Sequence, residues 1–198
     1  MAQTKLSKAA IVKCWQQIGN KYGEANRHYH NLDHLSALFA SFDQYKTELA
    51  EPLVVACAIW YHDIVYNAKR NDNEAQSALV AAQNIAHFGL SEEQQQRCLH
   101  YICATAQHLE VKVGAQADLA YFLDFDLAVL AWPRAQYKAY AEAIRKEYRH
   151  VPSFFYRRGR RKVLKYFLEV PRLFRTAEFQ EKFEAAAKLN LHWELETL

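Results

Sequence analysis

The chain has 198 residues, of which 51% are hydrophobic, 14% aromatic and 24% charged. This length and apolar content suit one folded domain with a substantial core, and they exclude a disordered chain. The formal net charge of +3 at pH 7 is too small to indicate a nucleic-acid partner by itself, so we do not expect one.

The chain has no apolar run approaching ~20 residues and no secretory pattern at its start. Its cysteines, Cys14, Cys57, Cys98 and Cys103, form no Cys-x-x-Cys pair. We therefore expect a reduced, cytoplasmic protein that does not insert into a membrane. The sequence does not indicate the oligomeric state.

Apolar residues recur at helical spacing along the chain, and alternation of period two does not persist anywhere. The 5 glycines and 4 prolines are too few to separate the short strands of a sandwich or barrel. The pattern predicts helices over about 5–18, 29–45, 53–66, 74–88, 91–107, 118–131, 133–149, 160–168 and 178–188. The fold class is therefore all-α, in a single domain.

Several of these helices have end signals in the sequence. Pro52 suits the first position of the third helix, and Gly89 stands where a helix C-cap belongs. Asp72 with Asn73 suits the start of the fourth helix, and Ser91 is followed by a glutamine at the spacing of a capping box.

Two segments combine histidines with a carboxylate. His30 and His34 are one helical turn apart, so both side chains can face the same point. His62 and Asp63 interrupt an apolar segment predicted to be buried, where an unpaired ionisable group is costly. A divalent cation removes that cost, because imidazole and carboxylate are its ordinary ligands.

A third segment places Asp124 and Asp126 within another apolar helix. Either aspartate can complete a metal site, but the two lie ~200° apart around a helix, so only one is expected to face the ion. Each of these residues taken alone fits an ordinary helix cap or core position. Their combination predicts a metal site.

The order His34, His62-Asp63, Asp126 resembles the HD superfamily of metal-dependent phosphohydrolases. The element Tyr29-His30-Asn31-x-x-His34 is similar to one in cyclic-nucleotide phosphodiesterases, where the first histidine donates a proton and the second binds metal. This resemblance implies that His30 is the catalytic acid. It also favours Asp126 over Asp124 as the last ligand, because a leucine follows Asp126, as is common in the superfamily.

Over nearly its whole length the chain also resembles small bacterial proteins described as HD-superfamily hydrolases. The shared motifs are Arg27-x-Tyr-His-Asn, His62-Asp-Ile-Val-Tyr66, Asn73-Glu74, Ala104-Thr105-x-x-His108, Asp124-x-Asp-Leu127 and Arg145-x-Glu-Tyr148. The resemblance implies one HD-type helical domain over 1–198, with a metal-site core over about 27–130 and helices over about 133–190 packing on it.

The implied activity is hydrolysis of a small phosphorylated substrate, with a nucleotide as the expected class. The implied cofactor is a divalent ion, with Mn, Mg, Ni, Co, Zn and Fe equally open. His34, His62, Asp63 and Asp126 are the implied ligands, and Asp63 also orients the nucleophilic water. The residues expected around the substrate or behind the ligands are Arg27, Asn31, Glu74 and His108. For Glu74 and His108, a role at a helix end remains equally open.

Two other functions remain open at this point. HD-type di-iron oxygenases need additional ligands between the His-Asp pair and the last aspartate, and His87, His100 and His108 are candidates. Alternatively, the metal is structural and the bundle binds nucleic acid or a protein through the basic run at residues 157–162. In that case the chain is not an enzyme.

Overall fold

The computed structural model describes residues 8–114 and 116–198. Within these ranges the regular secondary structure is helical and contains no strand, which confirms the all-α fold class. The helices are α1 Lys8–Tyr22, α2 Leu32–Tyr45, α3 Pro52–Tyr61, α4 Asn73–Asn84, α5 Glu92–Ala104, α6 Ala117–Leu127, α7 Arg134–Glu147, α8 Ser153–Glu169 and α9 Ala177–Thr197. Short 3-10 segments follow four of them, at Lys46–Glu48, Ile85–Phe88, Thr105–Gln107 and Ala128–Ala131. The predicted residues 5–7 of the first helix lie outside the described part of the chain.

The described residues form two compact units, one that ends at Phe122 and one over Leu123–Leu198. In the first unit α3 is central and packs against α2, α4 and α5. This position follows from its sequence, which is apolar on nearly all faces, and Val54, Ala58 and Ile59 are fully buried. The expectation of a single domain stays a prediction.

The second unit is built around α9, which packs against α8 and the 3-10 segment Ala128–Ala131. Phe179 and Leu191 of α9 are fully buried. The amide of Asn190 donates hydrogen bonds of 2.8 Å to the carbonyl oxygens of Leu130 and Trp132. This buried amide therefore ties α9 to the segment that follows α6.

Most of the predicted helix ends are confirmed. Pro52 is the first residue of α3, Gly89 has φ 76°, and Ser91 forms the predicted capping box. Asp72 precedes α4 but its side chain does not cap the helix. Its carboxylate instead accepts hydrogen bonds of 2.6 and 2.7 Å from Arg70.

Five predicted boundaries are wrong, and the first is the end of α1, which lies at Tyr22 rather than at Ile18. Helix α2 begins at Leu32 rather than at 29 because Asn31 caps it, and α3 ends at Tyr61, so the His62-Asp63 pair follows the helix instead of lying inside it. The two C-terminal helices, α8 and α9, are longer than predicted.

In the described part of the chain, no helix is long and apolar enough to cross a membrane.

Candidate metal centre

Three of the predicted ligands meet in the first unit. The Nε2 atoms of His34 and His62 are 3.1 Å apart, and Oδ2 of Asp63 lies 3.1 Å from His62 Nε2 and 3.6 Å from His34 Nε2. All three residues are buried, with exposed fractions of 2%, 1% and 9%. The turn after α3 and the first turn of α2 therefore bring two imidazoles and a carboxylate to one point.

The end of α3 orients His62. Its Nδ1 lies 2.9 Å from the carbonyl oxygen of Ile59, in the last turn of the helix. Because a carbonyl only accepts hydrogen bonds, Nδ1 carries a proton, and in the neutral ring Nε2 presents a lone pair towards His34 and Asp63. A backbone carbonyl behind the imidazole is the usual support of a histidine that binds metal.

The N-cap of α2 positions His34. The side-chain oxygen of Asn31 accepts hydrogen bonds from the backbone N–H groups of Asp33, at 2.9 Å, and His34, at 3.4 Å. Asparagine is a strong N-cap because its oxygen satisfies N–H groups that the first turn leaves unpaired. Asn31 thus fixes the backbone of a ligand, and its predicted contact with the substrate stays a prediction.

Arg27 lies behind the cluster and is 5% exposed. Its guanidinium donates to the backbone carbonyl oxygens of Asp63 at 2.5 Å, Ile64 at 2.8 Å and His30 at 3.2 Å. The forked guanidinium of Arg27 joins the segment before α2 to the turn after α3. Its positive charge also interacts favourably with the dipole at the C-terminal end of α3. These bonds favour a supporting role behind the metal ligands over direct contact with substrate.

The predicted catalytic acid His30 lies beside the cluster. Its ring stacks on Tyr66 with centroids 4.1 Å apart, and its centroid is 5.7 Å from that of His34. The two histidines are close for a reason other than the predicted one, since His30 precedes α2 and does not share a helical turn with His34. The half-buried His30 ring remains on the edge of the donor group.

The charge of Asp63 depends on these imidazoles. Burial opposes ionisation, but when the neighbouring imidazoles are protonated, the charges of His62 and His30 and hydrogen bonds from His34 and His62 hold the pKa of Asp63 well below its usual range. The carboxylate is therefore the ionised form at neutral pH, which is the form that binds a cation.

The donor set fits a divalent ion. With metal–ligand bonds of about 2.1 Å, neighbouring donor atoms in tetrahedral or octahedral geometry lie about 3.0–3.4 Å apart. Two of the three donor separations, both 3.1 Å, lie within that range, and the third, 3.6 Å between His34 Nε2 and Asp63 Oδ2, exceeds it by about 0.2 Å. Two neutral imidazole lone pairs and one carboxylate supply the chemistry that such an ion requires.

Asp124 has a different role in the second unit. Its carboxylate accepts hydrogen bonds from the backbone N–H of Arg175 at 2.7 Å and from both the N–H and the hydroxyl of Thr176 at 2.8 Å. Burial raises the pKa of this carboxyl to about 6, against the opposing effect of these bonds. Both oxygens of Asp124 are therefore engaged at the start of α9, whereas Asp126 as fourth ligand stays a prediction.

The remaining predicted residues lie outside the donor group. Among the described residues, the one group of three or more His, Cys, Asp or Glu side chains that meets the distances of a metal site is His34, His62 and Asp63. Glu74 is half-buried in the first turn of α4, and His108 is half-buried after the 3-10 segment Thr105–Gln107. Their predicted roles at the rim stay predictions.

Tyr22 is a supporting residue that sequence reasoning missed. Its hydroxyl accepts a hydrogen bond of 3.2 Å from the backbone N–H of Asp63, and its ring lies 5.0 Å from the Arg27 guanidinium. The predicted first helix ended at Ile18, but Tyr22 follows one turn later on the same buried face. The spacing of these two apolar residues was the available signal.

Comparisons with protein-family models, curated proteins and solved structures find no match to this chain. Membership of the HD superfamily therefore stays a proposal based on the sequence motifs. The geometry of His34, His62 and Asp63 stands independently of that proposal.

Proposed function

We propose that this chain is a metal-dependent phosphohydrolase of the HD type that acts on a small phosphorylated molecule, with a nucleotide as the expected class. The observation that carries the proposal is the convergence of His34, His62 and Asp63 at one buried point with His30 beside them. A purely structural metal needs no proton donor at its edge.

His34, His62 and Asp63 would hold the ion, and Asp126 is the expected fourth ligand. When bound, the divalent ion supplies a Lewis acid that lowers the pKa of a water ligand and polarises a phosphoryl oxygen. Imidazole and carboxylate donors accept several divalent ions, so the donor set leaves Mn, Mg, Ni, Co, Zn and Fe as candidates.

The protein groups divide the acid and base work between them. Asp63, ionised and fixed by the backbone bonds of its turn, orients the attacking water. His30 donates a proton to the oxygen that leaves the phosphoryl group, and its stack on Tyr66 holds the ring in position. Arg27 and Tyr22 hydrogen-bond to the backbone of Asp63 and so hold the turn after α3 in place beside the segment before α2.

The test is a screen of nucleotides and simple phosphate esters with each of the six metals, comparing wild type with His62→Ala, His30→Ala and His192→Ala. His192 is exposed on α9 and serves as the control. We expect His62→Ala to abolish metal-dependent hydrolysis and His30→Ala to lower kcat about 10²- to 10⁴-fold while metal binding persists. Hydrolysis that is unchanged in His62→Ala, or absent from wild type with every metal and substrate, contradicts the proposal.

A further inference from the structure

The small net charge of the chain conceals an uneven distribution. Residues 123–198 contain 15 Lys and Arg against 10 Asp and Glu, a net charge of +5, whereas residues 1–122 contain 10 against 12, a net charge of −2. Within the second unit, α8 has six basic residues and one acidic residue. The positive charge of this protein is therefore concentrated on one element.

The basic residues of α8 divide between two sides of the helix. Arg160 points inward and makes a bidentate ion pair with Glu194, with distances of 2.7 and 2.9 Å. Tyr156 and Leu164, on the same side, are buried. The remaining five basic side chains, at positions 157, 158, 161, 162 and 165, are all exposed, and all five line one groove.

These five side chains and two aromatic rings form what we call the basic face, defined by Phe154, Phe155, Arg157, Arg158, Arg161, Lys162 and Lys165. Phe154 and Phe155 are 70% and 62% exposed, with their ring centroids 5.5 Å apart. Most of the basic face lines an open groove of about 570 Å³, which no acidic side chain lines. Among the described residues, no ion pair is formed by any of its five cations.

We propose that the basic face binds single-stranded nucleic acid. Arg157, Arg161 and Lys165 follow one another at intervals of four residues, which is a rise of about 6 Å per step along the helix and comparable with the spacing of phosphates along an extended strand. Guanidinium groups bind phosphate oxygens in a bidentate manner. Exposed aromatic rings beside such a row are the usual platform for unpaired bases.

A phospholipid surface is the other anionic partner with this chemistry, and the structure favours it less. A helix that lies in a membrane interface inserts an apolar side, with its charged side towards water. The apolar side of α8 is already buried by its own protein, through Tyr156 and Leu164. Large apolar side chains are exposed on α8 at Phe154 and Phe155 in the first turn and at Val163 and Tyr166 in later turns. Gly159 and Lys162 lie between the two pairs, so they do not form one continuous apolar side.

The experiment measures binding of a fluorescent 20-residue oligothymidylate by anisotropy over a series of salt concentrations. We expect Arg158→Ala with Arg161→Ala to weaken binding about tenfold and to reduce the slope of log K against log salt by about 1.4, or about 0.7 for each lost phosphate contact. Phe154→Ala removes a stacking ring without a charge, so it should weaken binding about fivefold and leave the slope unchanged.

The control is Arg149→Ala with Arg172→Ala, which removes two exposed cations of the same unit outside the basic face and should weaken binding less than threefold. A second pair, Arg157→Ala with Lys165→Ala, repeats the test if the first variant does not fold by circular dichroism. The proposal is overturned if wild type does not bind the oligonucleotide at low salt, or if the control weakens binding as much as the variants. It is also overturned if the protein binds phosphatidylserine vesicles but not the strand.

Discussion

The side chain of His62 shows how a single residue links the fold to the proposed chemistry. Its backbone belongs to the end of α3, its Nδ1 is held by Ile59, and only Nε2 faces the other donors. An ionisable pair in an apolar run was sufficient to predict that His62 and Asp63 are buried together. The direction of each ring nitrogen was not predictable, because it depends on where the helix ends.

Arg27 was recognised in a motif, but its contacts depend on carbonyl groups 36 and 37 residues further along the chain. We predict that Arg27→Lys lowers the free energy of unfolding by about 2–4 kcal/mol, because an ammonium cannot replace the fork and leaves buried carbonyls without donors. Urea denaturation measures this change. Lys21→Ala, at an exposed ion pair, is the control and should cost less than about 1 kcal/mol. Equal losses in the two variants would contradict the role assigned to Arg27.

The position of Glu74 can be tested through the pKa of the neighbouring Cys103 thiol. Partial burial of the thiol and the negative charge of Glu74 raise the pKa of Cys103, a residue that still reaches solvent. We therefore predict that Glu74→Gln lowers this pKa, so that labelling of Cys103 by a disulfide reagent reaches half its maximal rate at a lower pH. Cys57, buried with its pKa raised to about 12, should not react in the folded protein. Glu92 is exposed, so Glu92→Gln is the control. An equal shift in the Cys103 pKa in both variants would contradict the position of Glu74 beside Cys103.

At the scale of elements, periodicity predicted the order of the helices, and cap residues predicted several of their ends. The turn after α3 was missed because the apolar run continues through Ile64 and Val65, which a pattern cannot distinguish from more helix. Hydrogen bonds from Arg27 and to Tyr22 hold this turn, and both partners come from distant positions. Local sequence does not contain that information.

The N-cap of α2 links helix stability to the metal centre. We predict that Asn31→Ala costs about 1 kcal/mol of stability and also weakens metal binding, because the capped first turn contains His34. Asn31→Asp should restore both, since a carboxylate accepts the same bonds. Thermal denaturation with and without metal measures the two effects.

Helix α5 provides the matched control for this experiment. Ser91→Ala removes a comparable cap far along the chain from the ligands, so it should lower stability by a similar amount and leave metal affinity unchanged. If Asn31→Ala and Ser91→Ala affect metal binding equally, Asn31 does not position His34.

At the scale of the whole molecule, the two aspartates of α6 were the part of the site that the sequence left open. We predict that Asp124→Asn lowers the free energy of unfolding by about 2 kcal/mol or more, because an amide cannot accept all three hydrogen bonds at the start of α9. Asp126→Asn should instead weaken metal binding with little change in stability. Denaturation and metal titration of both variants distinguish them, and the reverse pattern would make Asp124 the ligand.

Metal binding by His34, His62 and Asp63 is the claim on which the proposed function depends. The most direct measurement is calorimetric titration of metal-stripped protein with Mn²⁺, Ni²⁺ and Zn²⁺, comparing wild type with His62→Ala and the exposed control His192→Ala. We predict at least one ion per chain for wild type and for the control, and an affinity lowered at least 100-fold in His62→Ala. Equal binding by wild type and His62→Ala, or no binding of any of the three ions by wild type, would contradict the metal centre.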